Sequence, residues 1–206
     1  MVIAFDFDGI INKSAYFSVL YEEEYGVSRS ELQEFFKTDF DPCAIGKAAI
    51  EQVLPPYLKK WKWGGSVEDF LDYWFKSDIL LDTELLALVR RLKLQGAYVV
   101  LVSQQEKNRR DYIWEQLGLQ ATFDKFYCTC DIGYLKSDPA FYHKMVEDLI
   151  RRSIISSKKE LLFFDDSVNF ITAAKEAGLE SYHVEQNETI FEILKKKYNY
   201  DWPIEK

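Results

Sequence analysis

Two aspartates near the amino terminus have the type and spacing of a catalytic pair. The apolar residues 2–5 lead into Asp6, and Asp8 follows two residues later, directly before Gly9. If the apolar run is a buried strand, side chains two residues apart point the same way, so both carboxylates share one small space. Like charges that close are unfavourable unless a cation or a proton lies between them. The segment also fits a strand that runs into an Asp-Gly turn, so other residues must decide between these interpretations.

Polar side chains also follow the later apolar runs. Residues 97–102 and 161–164 are continuous apolar runs, typical of strands buried on both faces of a parallel sheet. The polar side chains directly after them are Ser103 and Gln104 in the first case, and Asp165 and Asp166 in the second. Lys136 lies in the loop after a weaker predicted strand, residues 126–128. The carboxyl ends of parallel strands meet at one edge of a sheet, where ligands bind, so these residues should converge there.

The converging groups are four carboxylates, a hydroxyl and an ammonium. Carboxylate oxygens without nitrogen or sulfur ligands favour magnesium. Ser103 and Lys136 would then hold an anion against the metal. A carboxylate nucleophile, a magnesium ion and an anion clamp together indicate phosphoryl transfer through an aspartyl-phosphate. Taken singly, Ser103 and the Asp165-Asp166 pair could each cap a helix, and Lys136 could be a solvated loop lysine.

The elements that would position these groups alternate between strand and helix after residue 79. Predicted helices separate the strands at residues 97–102, 126–128, 161–164 and 181–184, and this alternation predicts an α/β fold with a Rossmann-like parallel sheet and helices on both faces. Residues 14–77 instead show helical patterns rich in aromatic side chains, which predicts an inserted helical bundle. Within it, Ser28 and Ser66 are predicted helix caps, and residues 40–46 an irregular connection.

Composition excludes several classes of function. The 206 residues carry a net charge of -8, which argues against nucleic-acid binding and gives no attraction to an anionic membrane. No apolar run approaches the ~18 residues that a membrane span needs, and no signal peptide is expected. Three cysteines and two unmatched histidines argue against a disulfide framework or a zinc site, and suit a reducing compartment such as the cytoplasm. Without a heptad pattern, we expect a monomer.

Four segments, in order, resemble the four motifs of the haloacid dehalogenase (HAD) superfamily. They are Asp6-Phe-Asp8-Gly9, the apolar run ending in Ser103, Gly133-Tyr-Leu-Lys136-Ser-Asp-Pro139, and Leu161-Leu-Phe-Phe-Asp165-Asp166-Ser-Val-Asn169. The last two are most similar to those of bacterial sugar-phosphate phosphatases of the glucose-1-phosphate phosphatase type. The helical insert matches the small helical cap of this superfamily, which implies a core of residues 1–13 and 79–206 and a cap of residues 14–78.

The resemblance implies a role for each matching residue. Asp6 attacks phosphorus and becomes the phosphoaspartate, while Asp8 protonates the leaving oxygen and then deprotonates the hydrolytic water. Magnesium is held by the Asp6 carboxylate, the Asp8 backbone carbonyl and the Asp166 carboxylate, with Asp165 orienting metal-bound water. Ser103, Gln104 and Lys136 bind the transferred phosphoryl group. The expected reaction is magnesium-dependent hydrolysis of a small organic phosphate monoester, sugar phosphates included.

Other activities of the superfamily remain alternatives. Its dehalogenases lack an acid two residues after the nucleophile, and Asp8 stands there in this chain. The helical-cap sugar mutases carry a histidine ten residues after the second aspartate, where this chain has Ser18. A non-catalytic regulator that binds a phosphorylated ligand would often have lost Asp6 or Asp8, and both are present.

Substrate choice is expected to depend on the cap and on the loop that leads into it. The connection that contains Gly46 and Lys47 is predicted to face the core site, with Lys47 meeting a second anionic group of the substrate. Residues 9–13 should form the hinge loop, with Asn12 able to reach substrate. The terminal residues 200–203 are expected to pack back on the core.

Overall fold

The first strand forms the centre of the sheet. In the computed structural model, which describes residues 1–198, β1 (Val2–Asp6) is buried along its whole length. It pairs in parallel with β2 (Tyr98–Ser103) on one side and with β4 (Leu161–Asp165) on the other. β3 (Lys125–Cys128) and β5 (Glu180–His183) extend the sheet outward, giving the order β3-β2-β1-β4-β5. The predicted α/β class with a parallel Rossmann-like sheet is confirmed.

Helices occupy most of the remaining chain. Those between β1 and β2 are α1 (Phe17–Tyr25), α2 (Arg29–Lys37), α3 (Phe40–Ala44), α4 (Ile50–Val53), α5 (Pro55–Lys60), α6 (Val67–Ser77) and α7 (Thr83–Leu94). Those after β2 are α8 (Lys107–Asp111), α9 (Thr129–Ile132), α10 (Pro139–Arg151), α11 (Val168–Glu176) and α12 (Glu188–Tyr198). No helix within residues 1–198 combines the length and apolar character needed to cross a bilayer.

The alternation of side chains along β1 feeds two apolar layers. Ile3 and Phe5 belong to a cluster on one face of the sheet, with α7 and α12, whereas Val2 and Ala4 belong to a cluster on the other face, with α10 and α11. Both faces of the sheet are therefore covered, which is why its strands are apolar throughout. Because β1 is buried along its whole length, the position of Asp6 at its carboxyl end is fixed relative to the sheet.

A third apolar cluster lies within the inserted helices. Its fully buried members include Tyr21, Phe35, Trp61 and Phe70, and their rings pack mostly edge to face or tilted, as aromatic groups prefer. The helical character of this segment is as predicted, although details differ. Residues 40–46 contain the short helix α3 instead of an irregular connection.

The two predicted helix caps have different outcomes. The Ser28 side chain makes no capping hydrogen bond, because its hydroxyl contacts Ser30 and Glu31 side chains instead. Ser66 and Asp69 form a full capping box at α6, and Asp138 caps α10 ahead of Pro139. After α8 the chain continues in π-helical geometry at Tyr112–Gln116. The predicted packing of residues 200–203 lies outside the described residues.

Candidate active site

The register of the sheet brings three predicted site residues to one edge. Phe5 is level with Phe164 on β4, and Asp6 is level with Val102 on β2. Asp6 therefore lies beside Asp165 at the end of β4, with Ser103 one residue further along β2. All three are at least 95% buried, although each carries a polar side chain.

Lys136 provides the positive charge among these carboxylates. Its ammonium nitrogen lies 2.7 Å from Oδ1 of Asp6 and 2.6 Å from Oδ2 of Asp165, and its side chain is 1% exposed. Burial alone would lower the pKa of Lys136, but the carboxylates of Asp165 and Asp6 outweigh it and raise that pKa above its usual range. Lys136 is therefore held as a cation inside the site.

One ammonium faces three carboxylates at this edge, those of Asp6, Asp165 and Asp166. Burial and the neighbouring Asp165 carboxylate raise the pKa of Asp6 well above its ordinary value, against the opposing effect of Lys136. Burial and Asp165 also raise the pKa of Asp166, which is half-buried. A further cation at this edge would stabilise the ionised carboxylates.

The donor set at this edge fits magnesium. One carboxylate oxygen each from Asp6, Asp165 and Asp166 lies within 4.8 Å of the others. Hard carboxylate oxygens at this spacing are the ligands magnesium takes. Both carboxylate oxygens of Asp165 already have partners. Its Oδ1 accepts a hydrogen bond from the Ser167 amide at 2.8 Å, and its Oδ2 contacts Lys136. Asp6 and Asp166 are therefore the better candidates for direct ligation.

Gly9 allows the Asp166 carboxylate to approach the backbone. Gly9 has a φ of +85°, a conformation that other residues rarely adopt, and an added Cβ would lie 2.1 Å from Oδ2 of Asp166. The glycine after the two aspartates is thus explained by both its conformation and its contact.

Asp8 is held at the mouth of the site by three donors. Its Oδ2 accepts a hydrogen bond from Nε2 of Gln105 at 2.6 Å, and its Oδ1 accepts one from Nδ2 of Asn12 at 3.1 Å. The guanidinium of Arg109 lies 3.3 Å from the same Oδ1. The Asp8 side chain remains 39% exposed, so its carboxylate is both fixed in orientation and open to a ligand.

Ser103 and Gln104 line the cavity that contains Lys136. Oγ of Ser103 accepts a hydrogen bond from Nε2 of Gln105 at 2.9 Å, which leaves its own proton available to an anion. Oε1 of Gln104 accepts a hydrogen bond from the Lys136 backbone amide at 3.1 Å. Gln104 therefore also positions the loop that carries Lys136.

Gln105, Arg109 and Asp78 contact the site, and none of the three was assigned a role from the sequence. Nη1 of Arg109 lies 2.7 Å from Oδ1 of Asp78, and the arginine side chain is 2% exposed. Asp78 directly follows α6, where the inserted helices return to the core. Arg109 belongs to a polar run that is typical of an exposed helix face, so its burial left no signal in local spacing. Gln105 follows Ser103 and Gln104 at the end of β2, where the sequence already places polar side chains, but it was given no role.

The three residues predicted from the insert and hinge lie in different surroundings. Asn12 is buried, and its amide joins Asp8, the Asp78 carbonyl at 2.8 Å and the Leu80 amide at 2.7 Å. Asn12 therefore ties together the two connections to the insert. Gly46 faces the backbone of Cys130, where an added Cβ would lie 2.5 Å from the carbonyl oxygen, and neither Gly46 nor Lys47 is among the residues that line the two cavities described next.

Two adjoining cavities open over these residues. The smaller, about 300 Å³, is lined by Asp6, Ser103, Lys136 and their neighbours. The larger, about 580 Å³, extends toward α2 and α6 of the inserted helices. Residues that line both are Asp8, Tyr16, Gln104 and Asp166. The arrangement can hold an anion in the small cavity and the rest of a molecule in the large one.

Known proteins resemble this chain in both sequence and fold. The model of the haloacid dehalogenase-like hydrolase family matches residues 1–178. A predicted HAD-like family hydrolase from Porphyromonas gingivalis superposes with a TM-score of 0.77 at 18% identity, covering 97% of this chain and 98% of that one.

Two further solved structures share this fold and contain different bound groups. A HAD family enzyme from Bacteroides thetaiotaomicron, in complex with magnesium and inorganic phosphate, gives a TM-score of 0.68 at 17% identity, covering 88% of this chain and 92% of that one. L-2-haloacid dehalogenase from Xanthobacter autotrophicus, with chloropropionic acid covalently bound, gives a TM-score of 0.65 at 14% identity, covering 95% of this chain and 82% of that one. At these identities the structures show the shared fold, while the family match covers most of the chain. This chain belongs to the haloacid dehalogenase-like hydrolase family.

Proposed function

We propose that this protein is a magnesium-dependent phosphatase that hydrolyses a small organic phosphate monoester through an aspartyl-phosphate on Asp6. The observation that carries the proposal is the Asp8 carboxylate, fixed by Gln105 and Asn12 at the mouth of the cavity that Asp6 lines. A dehalogenase of this family has no use for a second acid two residues after the nucleophile, whereas phosphate ester hydrolysis needs one for the leaving oxygen.

Asp6 forms the covalent bond to phosphorus, and Asp8 transfers the protons. An Asp6 carboxylate oxygen forms a bond to phosphorus as the ester P–O bond breaks, and Asp8 gives its proton to the leaving oxygen. Water then attacks phosphorus, the Asp6 O–P bond breaks, and Asp8 takes the proton from that water. Lys136 and the Ser103 hydroxyl hold the phosphoryl oxygens throughout, with Lys136 also offsetting the repulsion between the carboxylates.

Magnesium would be held by the Asp6 and Asp166 carboxylates and the Asp8 backbone carbonyl, with Asp165 beside its waters. When bound, the ion neutralises charge on the phosphoryl oxygens and the carboxylates. The raised pKa values of Asp6 and Asp166 support a cation at this position, because both arise from burial and crowded negative charge.

We also infer that residues 14–78 act as a cap over a core formed by residues 1–13 and 79–206. The helices of this segment share their own apolar cluster, and the two crossings to the core lie side by side. At the crossings, the Lys13 amide donates to the Leu80 carbonyl at 2.7 Å, and Asn12 pairs with Leu81. The monomeric state and the cytoplasmic location stay predictions.

The test is hydrolysis of p-nitrophenyl phosphate with and without magnesium, with 2-chloropropionate as the competing substrate. We expect magnesium-dependent phosphate release and no chloride release. Asp6→Asn and Asp8→Asn should abolish turnover while circular dichroism stays unchanged, and Asp72→Asn, at an exposed site on α6, should match wild type. Phosphatase activity that survives Asp6→Asn, or chloride release by wild type, would refute the proposal.

A further inference from the structure

The larger cavity is placed to receive the leaving group of the substrate. It adjoins the phosphate-sized cavity through Asp8, Tyr16, Gln104 and Asp166, which line both. A monoester whose phosphoryl group lies beside Asp6 and Lys136 must therefore direct its organic part past Asp8 into the larger cavity. Its volume of about 580 Å³ is within the range of small-molecule sites.

The wall of this cavity on the insert side is aromatic. It is formed by Phe17, Phe36, Phe40 and Trp74. The Phe36 ring centroid lies 5.2 Å from that of Trp74 and 5.5 Å from that of Phe40, and the Phe17 and Trp74 centroids are 5.5 Å apart. Rings that pack on each other in this way are fixed before a ligand arrives, which favours a flat apolar group.

The aromatic wall offers few hydrogen bonds to a polyol. The indole N–H of Trp74 already donates to Oδ2 of Asp78 at 3.2 Å. The other three rings of the wall have no polar atom. Sugar hydroxyls placed against this wall would lose hydrogen bonds to water without replacement, and that loss is unfavourable.

A polar edge borders the wall on α2. Gln33 and Lys37 lie one turn apart on this helix and both line the cavity, with the Lys37 ammonium 3.4 Å from Oε1 of Gln33. Both side chains are exposed, so this edge lies at the solvent side of the cavity. The acidic lining residues Asp8, Asp78, Asp166 and Glu185 come from outside α2, which leaves the α2 edge positive.

From this arrangement we infer that the substrate is a phosphate monoester with a flat, apolar, aromatic leaving group that carries an anionic substituent at the end remote from the phosphate. The ring lies against Phe36 and Trp74, and the substituent meets Lys37 and Gln33. This inference rests on the proposed phosphatase function and selects esters with an aromatic leaving group over the sugar phosphates that the sequence resemblance indicates.

The test compares esters whose leaving groups are all primary alcohols, so that chemistry at phosphorus is matched. The panel is benzyl phosphate, 4-carboxybenzyl phosphate, glucose 6-phosphate and glycerol 3-phosphate, with p-nitrophenyl phosphate to report phosphatase activity itself. We expect kcat/KM for benzyl phosphate to exceed that for glucose 6-phosphate by about tenfold or more, since a matched apolar surface commonly discriminates at this level. The carboxylated ester should be faster still at low concentration.

Two variants assign the preference to the cavity. Lys37→Met should lower kcat/KM for 4-carboxybenzyl phosphate by roughly tenfold, mainly through KM, because it removes a hydrogen bond to a charged group. Phe36→Ala should lower kcat/KM for benzyl phosphate more than for glycerol 3-phosphate. Lys59→Met, at an exposed position of α5 away from the cavity, is the matched control and should behave as wild type.

The outcomes separate this inference from the function on which it rests. Hydrolysis of p-nitrophenyl phosphate together with a preference for glucose 6-phosphate, or equal effects of Lys37→Met on both benzyl esters, would overturn the leaving-group assignment and leave the phosphatase intact. No hydrolysis of any ester would overturn the phosphatase proposal and this inference with it.

Discussion

Replacing Arg109 with methionine should destabilise this protein more than any surface substitution. Its guanidinium is 2% exposed and contacts Asp78 at 2.7 Å and Asp8 at 3.3 Å. Methionine keeps most of the aliphatic volume but leaves the Asp78 carboxylate, itself 9% exposed, without its cation. Breaking a buried ion pair from one side typically costs about 3–5 kcal/mol. For a chain of this size that corresponds to a fall in Tm of roughly 6–20 °C.

The loss should grow with pH. Burial raises the pKa of Asp78 to about 6, although Arg109 acts to lower it. An acid whose pKa is raised on folding contributes stability below its unfolded value of about 3.9, and that contribution is lost as pH rises through the folded value. Without Arg109 the pKa of Asp78 in the folded protein rises further. The variant therefore continues to lose stability as the pH rises above 6, whereas wild type has already lost this contribution. The difference in unfolding free energy should therefore be larger at pH 8 than at pH 5.

Urea unfolding followed by circular dichroism at both pH values measures the effect. Arg29→Met is the control, because Arg29 pairs with Glu22 at the surface and such pairs contribute about 0–1 kcal/mol. Asp78→Asn completes a double-mutant cycle, in which the two losses should not add, since each removes the same pair. A loss at Arg109 no greater than at Arg29, the same loss at both pH values, or additive losses in the double-mutant cycle would refute the reasoning.

Three further predictions concern the same edge of the sheet. Gly9→Ala should lower turnover by about a hundredfold or more, because the added Cβ displaces Asp166. We expect magnesium to raise the Tm of wild type through binding the folded state and to leave the Tm of Gly9→Ala unchanged; an equal rise in both would contradict this. Lys136→Met should remove activity and lower the unfolding free energy by about 3–5 kcal/mol in the absence of magnesium, measured by urea unfolding. Asn12→Ala should lower the unfolding free energy by about 1–3 kcal/mol in the same urea experiment and speed hydrogen exchange at the Leu80 amide. Unchanged exchange would show that Asn12 does not hold the segment that contains Leu80.

The core and its site residues were predictable because both depend on local sequence. A parallel strand buried on both faces must be a continuous apolar run, so its end is visible as the first polar residue. Asp6, Ser103 and Asp165 are those residues, and the parallel order alone brings strand ends to one edge. Lys136 was placed with them by the same argument, because its loop follows the predicted strand at residues 126–128 and so leaves the sheet at the same edge.

The residues that contact Asp8 were not predictable in the same way. Arg109 is buried only because Asp78, distant in sequence, returns to the core beside it, and no periodicity encodes that meeting. The polar run around Arg109 has the composition of an exposed helix. A buried charge with a distant partner is an exception to hydrophobic patterning, so spacing arguments assign it to the surface.

The substrate-facing part of the insert could not be located from sequence for a related reason. Phe36 and Lys37 face the cavity because α2 packs against α6 through Phe36 and Trp74, with ring centroids 5.2 Å apart. Which helix faces the core depends on packing inside the insert, and every helix there carries an apolar stripe. Gly46 and Lys47 were chosen by resemblance; Gly46 lies against the Cys130 carbonyl, and neither residue lines the two cavities.

The orientation of Asp8 and the position of the insert are mechanically linked. Asn12 and Arg109 each contact Asp8, and each also contacts Asp78, one through its backbone carbonyl and the other through its carboxylate. Asp78 follows the last turn of α6, so a displacement of α6 relative to the sheet must either break these contacts or pull on both of the groups that orient Asp8. Gln105 does not take part in this linkage, because it follows β2 and donates to Asp8 from the side of the sheet. The carboxylate assigned to proton transfer is therefore fixed from two sides, by the core through Gln105 and by the insert through Asn12 and Arg109.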